Sequence, residues 1–373
     1  MATNINLLPQ LPADIIEFQI LSRLRVKSLL RFQSVCKPWK LLISSNPYFA
    51  KTHLDNSNHD SILLRRRRSE FMPWGDDGFD LHAHTMIIGC INGLVCFFNW
   101  RSGCLNELVS AIWNPATRQC VQIPALTDKT DGTPYCVGFG FDLVANDYKV
   151  VYVTTIWGQP LQGFIYSYNP DRWKKIAPSN FVYHGTLLNS NQPARVNESL
   201  YWLNRRANGI KTCLTVISFD VRHKTFRLLP DSFDRESKKD KVVLVNMRDS
   251  VAVIFYDWTA LFGGTIDVHI FSERCGEWSK MCIEGLESTF VVAEKLLTCF
   301  PNGDILFEGP DLDLYCVSPE LGTIKDLKSP EKKGNEGKYY FDGSAYSESL
   351  IFLEGMKPWC DHLDVEGFSL EKD

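Results

Sequence analysis

Short apolar runs recur along this chain at a nearly constant interval, and that interval restricts the fold more than any other feature. Runs at residues 93–98, 148–153, 199–203, 250–255, 303–307 and 349–353 are rich in β-branched and aromatic residues and begin about 50 residues apart. A second series lies between them at 112–118, 166–173, 217–223, 270–276 and 315–321, each a short run followed by a polar turn. A period near 50 filled with short strands marks a ring of four-stranded blades. One blade alone leaves both faces apolar, and ranking blades around an axis buries them all. Six runs of the first type predict a propeller-like domain of about six blades. Residues 60–64 read as a strand that closes the ring with the C-terminal segment. A β-sandwich would not predict so regular a period.

Residues 11–54 have a different pattern. Apolar residues recur at helical spacing, Ile16, Ile20 and Leu24, then Leu29, Phe32, Cys36, Trp39 and Ile43. Pro12 and Asp14 sit where a helix begins, and Pro38 suits the first turn of another, where the missing amide hydrogen has no helical partner anyway. Three short helices in about 45 residues do not bury a core unaided. The segment therefore packs its spare apolar face on something else, which makes it a docking element. The expected fold class is α+β multidomain, a small three-helix unit followed by a mainly-β ring.

The residues that carry this helical pattern, LPADII, ILSRL, KSLLRFQSVCKPWKLLISS and PYFAKTHL, resemble the plant F-box motif over nearly its whole length. The resemblance implies binding of a Skp-type adaptor and, through it, a cullin scaffold of a ubiquitin ligase. By the same resemblance Leu11, Pro12, Ile16, Ile20, Leu21, Leu29, Val35 and Trp39 are expected at the adaptor contact or in the seam beneath it. Two departures stand out. Leu24-Arg25 replaces the family's usual Leu-Pro, and one extra residue separates Asp14 from Ile20 and Leu21. An extra residue turns a helical face by about 100°. Either Leu11 and Pro12 shift register or the helix absorbs the residue as a bulge.

The β repeats carry a second resemblance. CINGLVCFF, AIWNPATRQCVQIP, VGFGFDLVANDYKVVYV, SLYWL, ISFDVRHKTFRLLP and HIFSERCGEWSKM look like the kelch-like F-box-associated domain of plant F-box proteins. That resemblance implies recruitment of a target protein. The expected organisation is an F-box at 1–54, a linker and first strand at 55–85, and the β domain at 86–373. The expected function is the substrate-recognition subunit of an SCF-type cullin ubiquitin ligase, a binding protein and not an enzyme. The other reading is a propeller enzyme or carbohydrate-binding lectin with acidic, His or Cys residues converging on the central channel.

Net charge is −4 over 373 residues, which gives no general pull toward nucleic acid or anionic membrane. Residues 1–54 run the other way, with seven Lys or Arg against Asp14 and Glu17. That patch steers an acidic partner. No apolar run approaches the roughly 18 residues of a membrane span, and the start lacks a signal-peptide layout, so residence in cytoplasm or nucleus is expected. The 12 cysteines include no Cys-x-x-Cys, and pairs such as Cys275 and Cys282 read as buried free thiols. His82 and His84 are weak metal candidates, outweighed by loop histidines, and neither a metal nor a cofactor is expected. Arg65, Arg66, Arg67 and Arg68 read as an exposed charged strand edge.

Trp113, Trp173, Trp202 and Trp278 occupy corresponding positions and are expected in blade packing. Trp100, Trp157, Trp258 and Trp359 fall in or beside presumed loops. Loops at 99–103, 156–163, 204–209 and 256–264 are the expected substrate-binding rim, since loops on a rigid ring carry function. Trp100, Trp157, Arg205 and Trp258 are its candidate contacts, because interfaces favour exposed aromatics beside Arg.

Overall fold

The computed structural model describes residues 11–57, 61–68, 85–99, 109–126, 134–187, 193–208, 211–230, 233–235, 241–256, 266–283, 295–300, 302–309, 313–327, 339–358 and 365–369. His82, His84, Trp100, Trp258 and Trp359 lie outside these residues, as does most of 256–264.

The chain begins with a helical stretch in three parts: α1 (Ala13–Ile15), a π-helical turn at Ile16–Ile20, and a 3-10 turn at Leu21–Arg23. The π turn is where the extra residue goes. Its wider winding takes up the insertion, so Leu21 still reaches the core at 2% exposure. The stretch stops at Leu24, which is extended, and Arg25 follows at φ −58° and ψ 144°. That is the backbone a proline would fix, and here Arg25 adopts it without the ring. Then come α2 (Val26–Phe32), α3 (Lys37–Ser45, with a proline in its first turn) and α4 (Pro47–Asn56), whose N-cap Asn46 accepts a hydrogen bond from the Phe49 amide at 3.0 Å. Leu21, Val26, Leu29, Leu42, Ile43, Phe49 and Ala50 form their shared core.

After β1 (Ser61–Arg68), blade one is β2 (Thr85–Ile91), β3 (Leu94–Asn99), β4 (Val109–Asn114) and β5 (Gln119–Ile123). Blade two is β6 (Pro134–Asp142), β7 (Asp147–Thr154), β8 (Gln162–Ser167) and β9 (Arg172–Ile176). Blade three contains β10 (Thr186–Leu187), β11 (Ala194–Val196), β12 (Ser199–Asn208), β13 (Lys211–Asp220), β14 (Thr225–Leu228) and β15 (Phe233–Arg235). Blade four is β16 (Lys241–Met247), β17 (Ser250–Tyr256), β18 (Ile266–Ser272) and β19 (Glu277–Ile283). Blade five is β20 (Lys295–Cys299), β21 (Ile305–Glu308), β22 (Leu314–Ser318) and β23 (Thr323–Leu327). The chain ends with β24 (Tyr339–Tyr346), β25 (Lys357–Pro358) and β26 (Val365–Ser369).

There are thus five blades among the described residues, not about six. The sector between blades five and one holds a three-stranded sheet in the order β24-β1-β26, with β24 against both β20 and β2. The 60–64 run does close the ring with the C-terminal segment. Two further expectations change with it. The last run, 349–353, is not a strand. It is a strap whose backbone is held by a side chain, Asn114 donating from Nδ2 to the Ser349 and Ile351 carbonyls at 3.0 and 2.9 Å. Arg65 is not at a sheet edge, since β1 lies between two strands there, while Arg66, Arg67 and Arg68 pair with β24 alone.

The main apolar clusters lie between neighbouring blades, as ring packing requires. Val150 and Tyr152 of blade two meet Leu94, Cys96 and Ile112 of blade one, and Val151 and Ile165 meet Leu200 and Trp202 of blade three. Trp113 and Trp202 are buried. Trp173 and Trp278 do equivalent work in blades two and four. Each indole N–H donates to a proline carbonyl on the preceding blade's side, Pro124 just after β5 at 2.8 Å and Pro230 just after β14 at 3.0 Å. The 12 cysteines include ten in the described residues, all free. Cys96, Cys136, Cys299 and Cys316 are buried, but Cys275 and Cys282 are exposed, against the sequence reading, because both lie on the solvent side of blade four's outer hairpin.

Candidate functional site

The two turn types of each blade explain the two sequence series. The first hairpins carry left-handed residues at Asn92, Asn146, Asn197, Arg248 and Gly303, and the outer ones at Arg118, Asp171, Lys224, Gly276 and Gly322. Asx contacts preset several of them, as where Asn114 Oδ1 accepts from the Ala116 and Thr117 amides at 3.0 and 3.3 Å. Because the strands alternate in direction, the first and outer turns lie at one end of every blade. The connections between second and third strands lie at the other end.

The helical unit sits at the first-turn end. Leu350 of the strap is 5% exposed inside the helical core, and Ala116 of blade one's outer turn packs against the same cluster. Glu348 fixes the seam: its Oε2 accepts from the Val26 amide at 3.1 Å, and its carbonyl accepts from Ser57 Oγ at 3.1 Å. His53, 3% exposed, bonds through Nε2 to the Leu24 carbonyl at 2.8 Å. A carbonyl only accepts, so Nε2 carries the hydrogen, and the buried Nδ1 has no partner among the described residues. Burial holds the His53 pKa below its ordinary value, while the Leu24 hydrogen bond and Glu348 oppose that shift.

The sequence-picked adaptor residues divide into two groups. Leu21 (2%) and Leu29 (0%) are inside the helical core, and Ile16 and Trp39 are partly buried against it. Leu11 (56%), Ile20 (43%) and Val35 (60%) remain exposed, and so does Pro12. Ile15, Leu41 and Tyr48 are equally exposed and were not picked from sequence. Leu41 was legible in principle, because it precedes the buried pair Leu42 and Ile43 on the opposite side of α3. All seven Lys and Arg of residues 11–54 are also exposed.

At the opposite end, Trp157 stands 67% exposed in the connection after β7. Its ring lies 5.7 Å from that of His184. The two segments are tied by the Gly158 amide donating to the Tyr183 carbonyl at 3.0 Å and the Tyr183 amide to the Gln159 carbonyl at 2.8 Å. Asn204 Nδ2 donates to the His184 carbonyl at 3.4 Å, and Arg205 stands opposite Thr186 in the ladder. The structure therefore brings Trp157 and exposed Arg205 to one junction, between blades two and three. It adds half-exposed Val182 and His184, which no local sequence signal marks because the pairing that delivers them is long-range.

The central channel is lined by the innermost strands and contains Cys90, Arg195 and Lys295. Burial pushes the Cys90 thiol up to about 12, so it is no ready nucleophile. Among the described residues no group of three or more His, Cys, Asp or Glu is placed to hold a metal.

Comparison with known proteins bears on both units. Residues 8–51 match the F-box domain, and residues 75–307, more than half the chain, match the F-box associated beta propeller domain. The chain belongs to the F-box proteins with an associated propeller. Among its relatives in Arabidopsis thaliana, Putative F-box protein At3g10430 is 30% identical over 60% of this chain and 62% of its own length. F-box protein At5g10340 is 24% identical over 66% of this chain and 64% of its own. The chain thus spans slightly less than two thirds of each. A kelch assignment is not shown by the matched domain. Among solved structures, TolB from Acinetobacter baumannii covers 79% of this chain and 70% of its own at 9% identity and TM-score 0.43, too distant to bear on function.

Proposed function

We propose that this F-box protein is the substrate-recognition subunit of an SCF-type cullin ubiquitin ligase. It binds a Skp-type adaptor through residues 1–54 and a target protein through the β domain at 86–373, and it performs no catalysis itself. One observation carries the reading. The helical unit is fixed to the ring by Leu350 and Glu348, yet leaves Leu11, Ile15, Ile20, Val35, Leu41 and Tyr48 exposed. A unit that has already satisfied its core and still exposes that much apolar surface is built to meet a partner. Its exposed basic residues suit an acidic one. The rim around Trp157 and Arg205 points away from that end, so adaptor and target need not compete. Holding both on one rigid body raises the effective concentration of target at the transfer machinery.

Co-purification with a co-expressed Skp-type adaptor tests the first half. Ile20→Asp and Val35→Asp should each abolish the complex while leaving the fold intact, because neither side chain is in a core. Retention of the complex by the double variant would overturn the proposal. For the second half, Trp157→Ala should leave adaptor binding unchanged and reduce capture of the target; equal capture would remove the rim from the proposal.

A further inference from the structure

The axis of the ring encloses a cavity of about 220 Å³. Its wall includes Cys90 of β2, Arg195 of β11, Thr298 of β20 and Ser344 of β24. Arg195 sets its chemistry. β11 belongs to blade three and β2 to blade one, yet the guanidinium acts electrostatically on the Cys90 thiol. Both residues line the cavity, so the side chain faces the axis. It is half-buried, and among the described residues its one hydrogen bond runs from Nη1 to the Asn197 carbonyl at 3.3 Å.

The neighbours do not neutralise it. Burial pushes Cys90 and Tyr148 each up to about 12, so both are uncharged near neutrality. Asp249, exposed at the cavity's mouth, acts on Arg195 without forming an ion pair with it among the described residues. Arg248, next to it, is taken by Glu320 and by the Asn302 carbonyl. A guanidinium has five donors in a planar fork, and a charge removed from water is ordinarily paired. Here Arg195 lines the part-open channel with no carboxylate paired to it among the described residues.

We propose that this cavity binds a small oxyanion, a carboxylate or a phosphate group, through a forked contact with Arg195. Thr298 and Ser344 also line it, each with its hydroxyl donating to the carbonyl of the next residue at 3.4 Å, so the fork of Arg195 is the chief donor. The volume admits a metabolite-sized anion and excludes a folded partner. Because the wall draws on blades one, three and five and on the closing sheet, only the closed ring offers the site. A ligand there stabilises that ring by mass action.

The test titrates the full chain with inorganic phosphate and, separately, with citrate, at ionic strength held constant with sodium chloride. Calorimetry and the melting temperature are the readouts. A saturable response to either probe is expected, and which probe responds assigns the anion class. Arg195→Gln should weaken binding on the order of tenfold or more, and Arg195→Lys, which keeps the charge but not the fork, should fall between. Circular dichroism confirms that each variant folds; should Arg195→Gln fail to fold, Arg195→Lys decides alone. No saturable response to either probe, a response matched by sodium chloride, or unchanged binding in the folded variants would overturn the proposal.

Discussion

Replacing Leu350 by Ala tests how the F-box is held. Leu350 is 5% exposed and touches a cluster made almost wholly of helical residues, Leu21, Val26, Leu29, Leu42, Ile43, Phe49 and Ala50. The change removes three carbons, worth roughly 2.4 kcal/mol at about 0.8 kcal/mol per buried methylene. A residual cavity adds to that, and measured Leu→Ala costs in cores run from about 2 to 5 kcal/mol. Here the site lies between two units that can close on each other, so the lower part of the range applies, about 2–3 kcal/mol. The strap itself stays in place, because Asn114 holds its backbone on either side of Leu350. The loss should therefore fall on the helices. Amide hydrogen exchange in α2 and α3 should accelerate by roughly 30- to 150-fold, since about 1.4 kcal/mol is a factor of ten. Amides in β7 and β17 should not change. Unaltered exchange in the helices, or equal acceleration in both regions, would refute the view that Leu350 is the chief apolar anchor of the F-box.

His53 makes F-box docking depend on pH. Its folded pKa is depressed by burial, so its contribution is fully present above the unfolded value near 6.5 and is lost as pH falls from there toward the folded pKa. Exchange protection of α4 should drop in acid below about pH 6.5, and His53→Gln should flatten that dependence; an equally steep profile in the variant would reject His53 as the cause. Glycine substitution separates strain from crowding. Gly93→Ala meets a positive φ of 74° and would place its Cβ 2.4 Å from the Ser347 carbonyl oxygen, whereas Gly276→Ala has a φ of 73° and nothing within 4 Å. Thermal unfolding should show a loss of about 1 kcal/mol for Gly276→Ala and clearly more for Gly93→Ala; equal losses would mean the strap yields freely. Trp157→Ala should alter the melting temperature little, within about 0.5 kcal/mol, as expected for an exposed side chain.

The repeats were legible because a blade writes its turns into the sequence. Asn, Asp and Gly recur where the backbone turns left-handed, with Arg or Lys at three of those positions, and the apolar runs recur where strands are buried between blades. The run at 349–353 misled for a physical reason. Consecutive apolar residues report burial on two sides, not strand pairing. Leu350 enters the helical core and Leu353 the core between blades one and two, while a side chain takes the place of a neighbouring strand. The F-box insertion was foreseen as either a register shift or a bulge, and only the backbone could choose the π turn at Ile16–Ile20. Arg25 shows the same limit: its polyproline-like backbone depends on the contacts of Leu24 with His53 and of Val26 with Glu348, which are remote in sequence.

The closing sheet has a consequence for how this protein comes off the ribosome. β1 follows the F-box directly, but both of its partners, β24 and β26, are made after all five blades. The strap with Glu348 and Leu350 is also made after them. A chain interrupted before about residue 339 therefore has its helices and its blades but neither the clasp nor the mount. Its F-box then hangs on a tether instead of sitting fixed against the ring. The late segment therefore sets the fixed relation between helices and ring last.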